Sequence, residues 1–315
     1  MTSESPIAQV PEPEINYDQD ELIYQQHAAA DDDMFESAPD AIPQKLKLDL
    51  RGTRVELDRE TLVNLPESLV IAMFPNGIIL GRQDDAYMDD EEDDYENHSR
   101  DSVGGGVDDQ VNYVDFDPAC LDYVLRFYRY AQDVHQKSMD NEDYQQQAQL
   151  MAASSPVYYP LLTKQPIIVL REELEYYCLP RSKQTVSDIV SLKLAGGHHL
   201  KQEDQIFDAL QKNISRENSV AEQHLIDMLC NAGFKRDDRW SYRELEPMRT
   251  CIVSMALVLL KTFGPDNHMQ TAEKLMLFWR KPARKCWWDG DTVEIQGQTI
   301  RLWARRTWTL ELVLV

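Results

Sequence analysis

The 315 residues carry 55 acidic and 32 basic side chains, for a formal net charge of −23, and 43% of the residues are hydrophobic. This length and apolar content are enough for about two domains with buried cores, and they exclude a wholly disordered chain. The five cysteines include no C-x-x-C pair. This argues against a disulfide framework and a zinc site and favours a reducing compartment.

The acidity is confined to two segments. Residues 1–43 hold eleven acidic residues and no Lys or Arg, and residues 82–112 hold twelve acidic residues and two Arg; their −11 and −10 account for −21 of the net −23. Residues 1–43 have no apolar period, which predicts a disordered tail. No signal peptide is recognisable, and the longest apolar run, residues 251–260, is half of the ~20 residues that a membrane span needs. We therefore expect a soluble cytoplasmic protein in which this run is a buried helix.

The ordered part is predicted to begin at residue 44. Alternating leucines in "KLKLDL" and apolar residues after the "RGT" turn predict a β-hairpin. Asp58 is the expected N-cap of a short helix that Pro66 ends, and "ESLVIAMF" begins a second short helix.

A run of contiguous carboxylates then interrupts the apolar pattern. Calcium loops need alternating carboxylates and a turning glycine, which this run lacks, so we expect no metal here. Residues 82–110 are predicted to form a disordered acidic insertion in a loop. The alternative is that the run docks on a basic patch of a partner. Its candidate partner-binding residues are Asp89, Asp90, Glu91, Glu92, Asp93 and Asp94.

The next segment is predicted to contain a strand and a long helix. Residues from Val111 alternate as a strand does, and Asp117 followed by Pro118 is a helix-start signal. Residues 137–156 are predicted to be a polar linker. The following "PIIVLREELEYYCLP" combines a short β-like run with a predicted amphipathic helix that holds Leu170, Leu174 and Tyr177.

This order of elements resembles the BTB/POZ domain, in particular its potassium-channel tetramerisation (KCTD) branch. Residues 48–74, 113–129 and 167–180 carry the resemblance. It implies an α+β fold with a BTB/KCTD-like domain over residues 44–180 and homo-oligomerisation through that domain. It also implies an alternative function, that of a substrate receptor for a cullin ubiquitin ligase.

Residues 181–315 are predicted to form a second domain that is helical and then β-rich. The spacing of Ser219 and Glu222 predicts a capping box, Gly233 is a stop signal, and a hairpin is expected around Gly297. His198-His199 lacks a third ligand at metal-site spacing, so a loop is expected there. Because the chain has no nucleophile, phosphate-loop or dinucleotide motif, we predict neither enzymatic activity nor a cofactor.

The segment "FWRKPARKCWWDG" places four basic residues beside three tryptophans. Such a mixture is typical of single-stranded nucleic-acid grooves, but a β-hairpin with packed tryptophans is favoured, and no nucleic-acid partner is expected. If the segment is functional, a protein partner is the better hypothesis, because Trp and Arg dominate interface hot spots. The candidate residues are Trp287 and Trp288.

Taken as a whole, the chain resembles the fungal growth-regulator family of the yeast Whi-two type, in which an acidic insertion precedes the "DFDP" strand. The resemblance implies a non-catalytic adaptor that binds and activates a plasma-membrane phosphatase of the haloacid-dehalogenase type. It further implies roles in the general stress response and in restraining TORC1 nutrient signalling, with the protein recruited to the plasma membrane through its partner.

Overall fold

The structure is a computed structural model that describes residues 43–77, 111–140, 158–180, 186–217, 219–262, 267–278 and 282–315. It combines helices with two separate sheets, which confirms the α+β class. The acidic residues Asp89 to Asp94, and nearly all of the predicted tail, lie outside the described residues. No helix within the described ranges is both long and apolar enough to cross a membrane.

The first sheet has three strands in the order β2-β1-β3, with β1 and β2 antiparallel and β3 parallel to β1. The turn between β1 and β2 places Arg51 and Gly52 at φ of 50° and 91°, the left-handed pair that a two-residue hairpin requires. The predicted hairpin is therefore confirmed. The strands are β1 (Lys45–Leu50), β2 (Thr53–Asp58) and β3 (Val111–Val114).

Three helices accompany this sheet, and the N-caps of the first and third follow the prediction. Asp58 accepts a hydrogen bond of 2.6 Å from the N–H of Thr61, and Asp117 accepts one of 2.8 Å from the N–H of Ala119. The third helix continues through residues 137–139, so the predicted linker overlaps the end of this helix. These helices are α1 (Arg59–Asn64), α2 (Glu67–Met73) and α3 (Pro118–Met139).

The second sheet has five antiparallel strands in the order β5-β6-β4-β8-β7. Gly297, at φ of 71°, forms the turn of the β7–β8 hairpin, as predicted. The strands are β4 (Pro166–Pro180), β5 (Tyr242–Leu245), β6 (Cys251–Leu259), β7 (Ala283–Ile295) and β8 (Gln298–Leu314), and the helices are α4 (Tyr158–Thr163), α5 (Val186–Gln202), α6 (Asp208–Glu217), α7 (Val220–Asn231) and α8 (Met269–Phe278).

Strand β4 corrects the prediction of a helix in residues 167–180. Leu170 and Leu174 are both buried on one side of this strand, but they belong to two separate core clusters, with Glu172 between them. Glu172 is buried and ion-paired. Because this inward position holds a charged residue, the sequence does not show the alternation of apolar and polar residues that is typical of a strand. Strand β4 is central to a sheet whose other strands all come from residues 242–314, so the predicted domain boundary at 180 falls at the end of its central strand.

Two further predictions for the C-terminal half are wrong. The run Cys251–Leu259 is strand β6 rather than a buried helix, because a short apolar run has no period that separates the two. His198 and His199 lie within α5 rather than in a loop. The preceding glycines let α5 approach β4, since a Cβ on Gly196 would lie 2.7 Å from the Sγ of Cys178.

Candidate functional site

The two faces of the five-stranded sheet differ in what covers them. Leu174, Tyr176 and Cys178 of β4 point into a core that includes Leu192 and Leu200 of α5. We call the opposite side the open face. Near β6 this face is covered, because the hydroxyl of Tyr123 on α3 accepts a hydrogen bond of 3.2 Å from the N–H of Leu257. Toward the end of β4 its side chains are exposed.

An aromatic patch occupies the exposed part of the open face, and we define it as Tyr177, Leu179, Trp288 and Trp303. Tyr177, Leu179 and Trp288 are 46%, 50% and 56% exposed. The rings of Tyr177 and Trp288 have centroids 6.1 Å apart, although they come from β4 and β7. Trp303 of β8 lies between these strands, opposite Tyr177. The sheet register therefore assembles the patch from three strands.

Gly290 makes room for Trp303. It is the β7 residue opposite Trp303, and a Cβ on it would lie 2.7 Å from Cε3 of that indole. Any larger residue at 290 would displace the indole from its position on the sheet. A glycine inside a strand often marks a close approach of this kind.

Two arginines flank the aromatic patch. The guanidinium of Arg301 lies 4.5 Å from the ring centroid of Trp303, within cation–π range. Arg305 bonds Glu175 at 2.8 Å, and this hydrogen bond raises the pKa of Arg305. Exposed Trp and Tyr with adjacent Arg is the composition that dominates interface hot spots. The arrangement is suited to binding a protein surface.

The structure separates the two predicted site residues. Trp288 belongs to the aromatic patch, whereas Trp287 points to the other side of β7 and packs against the core, 5.5 Å from the ring of Trp308. The basic residues next to them are also separated. Arg284 shares the side of Trp288, but Lys285 lies on the side of Trp287 and bonds Glu222 at 3.1 Å. The other two basic residues of this segment, Arg280 and Lys281, lie outside the described residues.

A buried ionic network holds the strands beneath the patch in register. Glu172 of β4 accepts hydrogen bonds from Arg243 at 2.6 Å, Arg306 at 3.0 Å and the indole N–H of Trp308 at 3.2 Å. Burial by itself would raise the pKa of Glu172, but the two arginines outweigh it and lower that pKa. Since the three charged groups come from β4, β5 and β8, the network ties together β4 and β8, two of the three strands that carry the patch.

Sequence reasoning missed most of the aromatic patch. The prediction places Tyr177 on a helix face and does not include Leu179, Trp303 or the flanking arginines. A signal was present in "RLWAR", where Arg301, Trp303 and Arg305 alternate in a predicted strand and so share one face. What the sequence lacked was the register that brings Tyr177 and Trp288 to this face.

Comparison with known proteins identifies relatives in two yeasts. The chain is 33% identical to a WHI2-like protein of Schizosaccharomyces pombe over 84% of this chain and 86% of the relative. It is 24% identical to a growth regulation protein of Saccharomyces cerevisiae over 76% of this chain and 57% of that protein. No protein-family model and no solved structure matches. By the first of these similarities, which extends over most of both proteins, the chain belongs to the family of WHI2-like proteins.

Proposed function

We propose that this chain is a non-catalytic growth and stress regulator that acts by binding another protein through the aromatic patch. The observation that carries the proposal is the exposure of Tyr177, Leu179 and Trp288 on one sheet face beside two arginines. Exposed apolar groups that lie together mark interaction sites more often than scattered ones do. The name of the growth regulation protein to which the chain is similar supports a regulatory role.

The partner that we propose is a plasma-membrane phosphatase of the haloacid-dehalogenase type, which this chain would bind and activate. Through it the chain would act in the general stress response and restrain TORC1 signalling when amino acids are scarce. The chain itself would be cytoplasmic and reach the membrane through the phosphatase. The carboxylates of Asp89 to Asp94 would speed the encounter with a basic partner surface by long-range attraction, which salt weakens.

We also propose that residues 44–180 include a BTB/KCTD-like domain that mediates homo-oligomerisation. The order β1-β2-α1-α2-β3-α3 and the Asp117 cap support this, because they follow the pattern on which the resemblance rests. A BTB-like domain keeps the cullin-receptor function as a second candidate.

Affinity purification of the full chain from its own cells tests the proposal. Wild-type chain should recover a membrane-anchored phosphatase, and the double variant Tyr177→Ala, Trp288→Ala should lose it. The matched control is Tyr130→Ala on α3, an aromatic residue that is 56% exposed but lies away from the patch. Recovery of a cullin without any phosphatase would reject the proposed partner, and equal recovery by the double variant would reject the proposed site.

A further inference from the structure

Strand β7 is one of the two edge strands of the five-stranded sheet, so one of its edges is not paired with any other described strand. An unpaired edge presents a row of backbone N–H and C=O groups that an extended segment of another chain can use. The aromatic patch adjoins this edge through Trp288.

The hydrogen-bonding pattern shows which residues of β7 face outward. Gln165 and Val315 exchange both of their backbone hydrogen bonds, which makes them a hydrogen-bonded pair of β4 and β8. In an antiparallel sheet this alternation directs the odd-numbered residues of β8 toward β4 and the even-numbered ones toward β7. By the β7–β8 register, the outward backbone groups belong to Arg284, Cys286, Trp288 and the following even-numbered residues.

The second half of this edge is already occupied. The carboxylate of Asp289 accepts a hydrogen bond of 2.9 Å from the outward N–H of Gly290. Asp289 and Asp291 are in turn held by Arg216 of α6, each at 3.3 Å. The Asp289 carboxylate therefore uses the N–H of Gly290 that an added strand would need. Charged side chains placed at an edge strand in this way prevent it from pairing with another strand. The free part of the edge therefore ends at Trp288.

The first half of the edge, Arg284 to Trp288, has no such block among the described residues. Arg284, Cys286 and Trp288 are all exposed on the open face. Lys285, on the other side of the strand, remains 39% exposed although it bonds Glu222. This half is thus cationic at its start and aromatic at its end, in a chain whose net charge is −23.

We propose that the edge of β7 from Arg284 to Trp288 accepts an extended, acidic and apolar strand of a partner protein, which adds to the sheet antiparallel to β7. An acidic residue opposite Arg284 would form a cross-strand ion pair, and an aromatic residue opposite Trp288 would extend the aromatic patch. The charge of this half favours such a strand over a second copy of β7, whose Arg284 and Lys285 would bring positive charge to a positive edge. The proposal deepens the proposed function, since it gives the partner a mode of docking beside the patch.

The test uses the full chain and a short synthetic peptide with tyrosine opposite Trp288, valine opposite Cys286 and glutamates opposite Lys285 and Arg284. The peptide should bind, and hydrogen exchange of the Cys286 and Trp288 amides should slow. Cys286→Pro should abolish binding and leave thermal stability almost unchanged, because proline removes an N–H that the sheet does not use. Cys286→Ala, which keeps the N–H, is the matched control.

A charge exchange tests the direction of the added strand. Arg284→Glu should weaken binding of the peptide about tenfold, which is about 1.4 kcal/mol. A peptide with lysine in place of the glutamate opposite Arg284 should restore that loss. Undiminished binding by Cys286→Pro, or no restoration by the exchanged peptide, would overturn the proposal. A wild-type dimer in sedimentation that Cys286→Pro converts to monomer would assign the edge to a second copy and overturn it as well.

The edge proposal and the phosphatase proposal can fail independently of each other. If Cys286→Pro still recovers a phosphatase from cells, the edge proposal fails while the phosphatase proposal stands. If the wild-type chain recovers no phosphatase, the peptide measurements still decide whether the edge accepts a strand.

Discussion

Glu311 of β8 accepts hydrogen bonds from both the backbone N–H and the hydroxyl of Ser68, the second residue of α2. Both residues are buried, and 243 positions separate them in the sequence. The contact satisfies an N–H of the first turn of α2, which has no partner within the helix. It joins the helices that follow the first hairpin to the second sheet.

Glu311 should make stability depend on pH in an unusual direction. Burial raises the pKa of Glu311 above its ordinary value of 4.5, even though Ser68 acts against this shift. A raised folded-state pKa contributes stability that is fully present below the unfolded pKa and is lost as pH rises through the folded pKa. Glu311→Gln, which keeps an acceptor for Ser68, should therefore be at least as stable as wild type at neutral pH and should remove that loss.

Urea unfolding from pH 4 to pH 8 measures this dependence. Glu311→Ala is the companion variant and should cost about 1–3 kcal/mol, because it leaves the buried N–H of Ser68 without a partner. A Glu311→Gln variant whose stability falls with rising pH as steeply as wild type would contradict the assignment.

Glu172 should show the opposite pH dependence. Its folded-state pKa is lowered from 4.5, so its contribution is present above the unfolded pKa and is lost as pH falls through the folded pKa. Glu172→Gln should destabilise the protein by about 3–5 kcal/mol at neutral pH, because Arg243 stays buried without its counter-charge and Arg306 keeps only Glu203, at 3.7 Å. The exposed pair of Asp122 and Arg126 is the control, and Arg126→Ala should cost less than about 0.5 kcal/mol. Equal losses in the two variants would contradict this prediction.

Gly197→Ala should destabilise the protein, against the usual preference for alanine in helices. A Cβ on Gly197 would overlap the hydroxyl of Tyr176 and lie 2.7 Å from Cδ2 of Leu245. Overpacking of this kind costs about 1–3 kcal/mol, whereas Gly→Ala at an open helical position stabilises by roughly 0.5–1 kcal/mol. Thermal unfolding gives the sign. Tyr176→Phe removes the overlapping oxygen and should restore part of the loss, which a general defect of α5 would not allow.

Trp287→Ala and Trp288→Ala should affect different properties. Trp287 is packed against the core, so its truncation should cost up to about 3 kcal/mol of stability. Trp288 is 56% exposed, so its truncation should change stability by less than about 1 kcal/mol and weaken partner binding instead. Chemical denaturation and partner purification on the same two variants check both halves of the prediction. Equal stability losses in the two variants would contradict the placement of Trp287 against the core and of Trp288 on the open face.

The local elements of this protein can be predicted from residues that are neighbours in the sequence. Left-handed turn positions and alternating side chains predict the β1–β2 and β7–β8 hairpins. Capping carboxylates predict the helix starts at Asp58 and Asp117. Such signals act over a few positions and are legible in one chain. The concentration of the negative charge in residues 1–43 and 82–112 also follows from the sequence alone.

The positions of β4 and β6, and the set of residues that form the site, depend on contacts between strands that are distant in the sequence. Glu172 is tolerated in the core because Arg243 and Arg306 reach it from distant strands, and no local pattern in β4 announces those partners. Trp287 and Trp288 are adjacent in sequence, yet the pleat of β7 sends one to the core and the other to the open face. The aromatic patch exists because register brings Tyr177, Trp303 and Trp288 from three strands to one surface, and register is a property of the whole sheet.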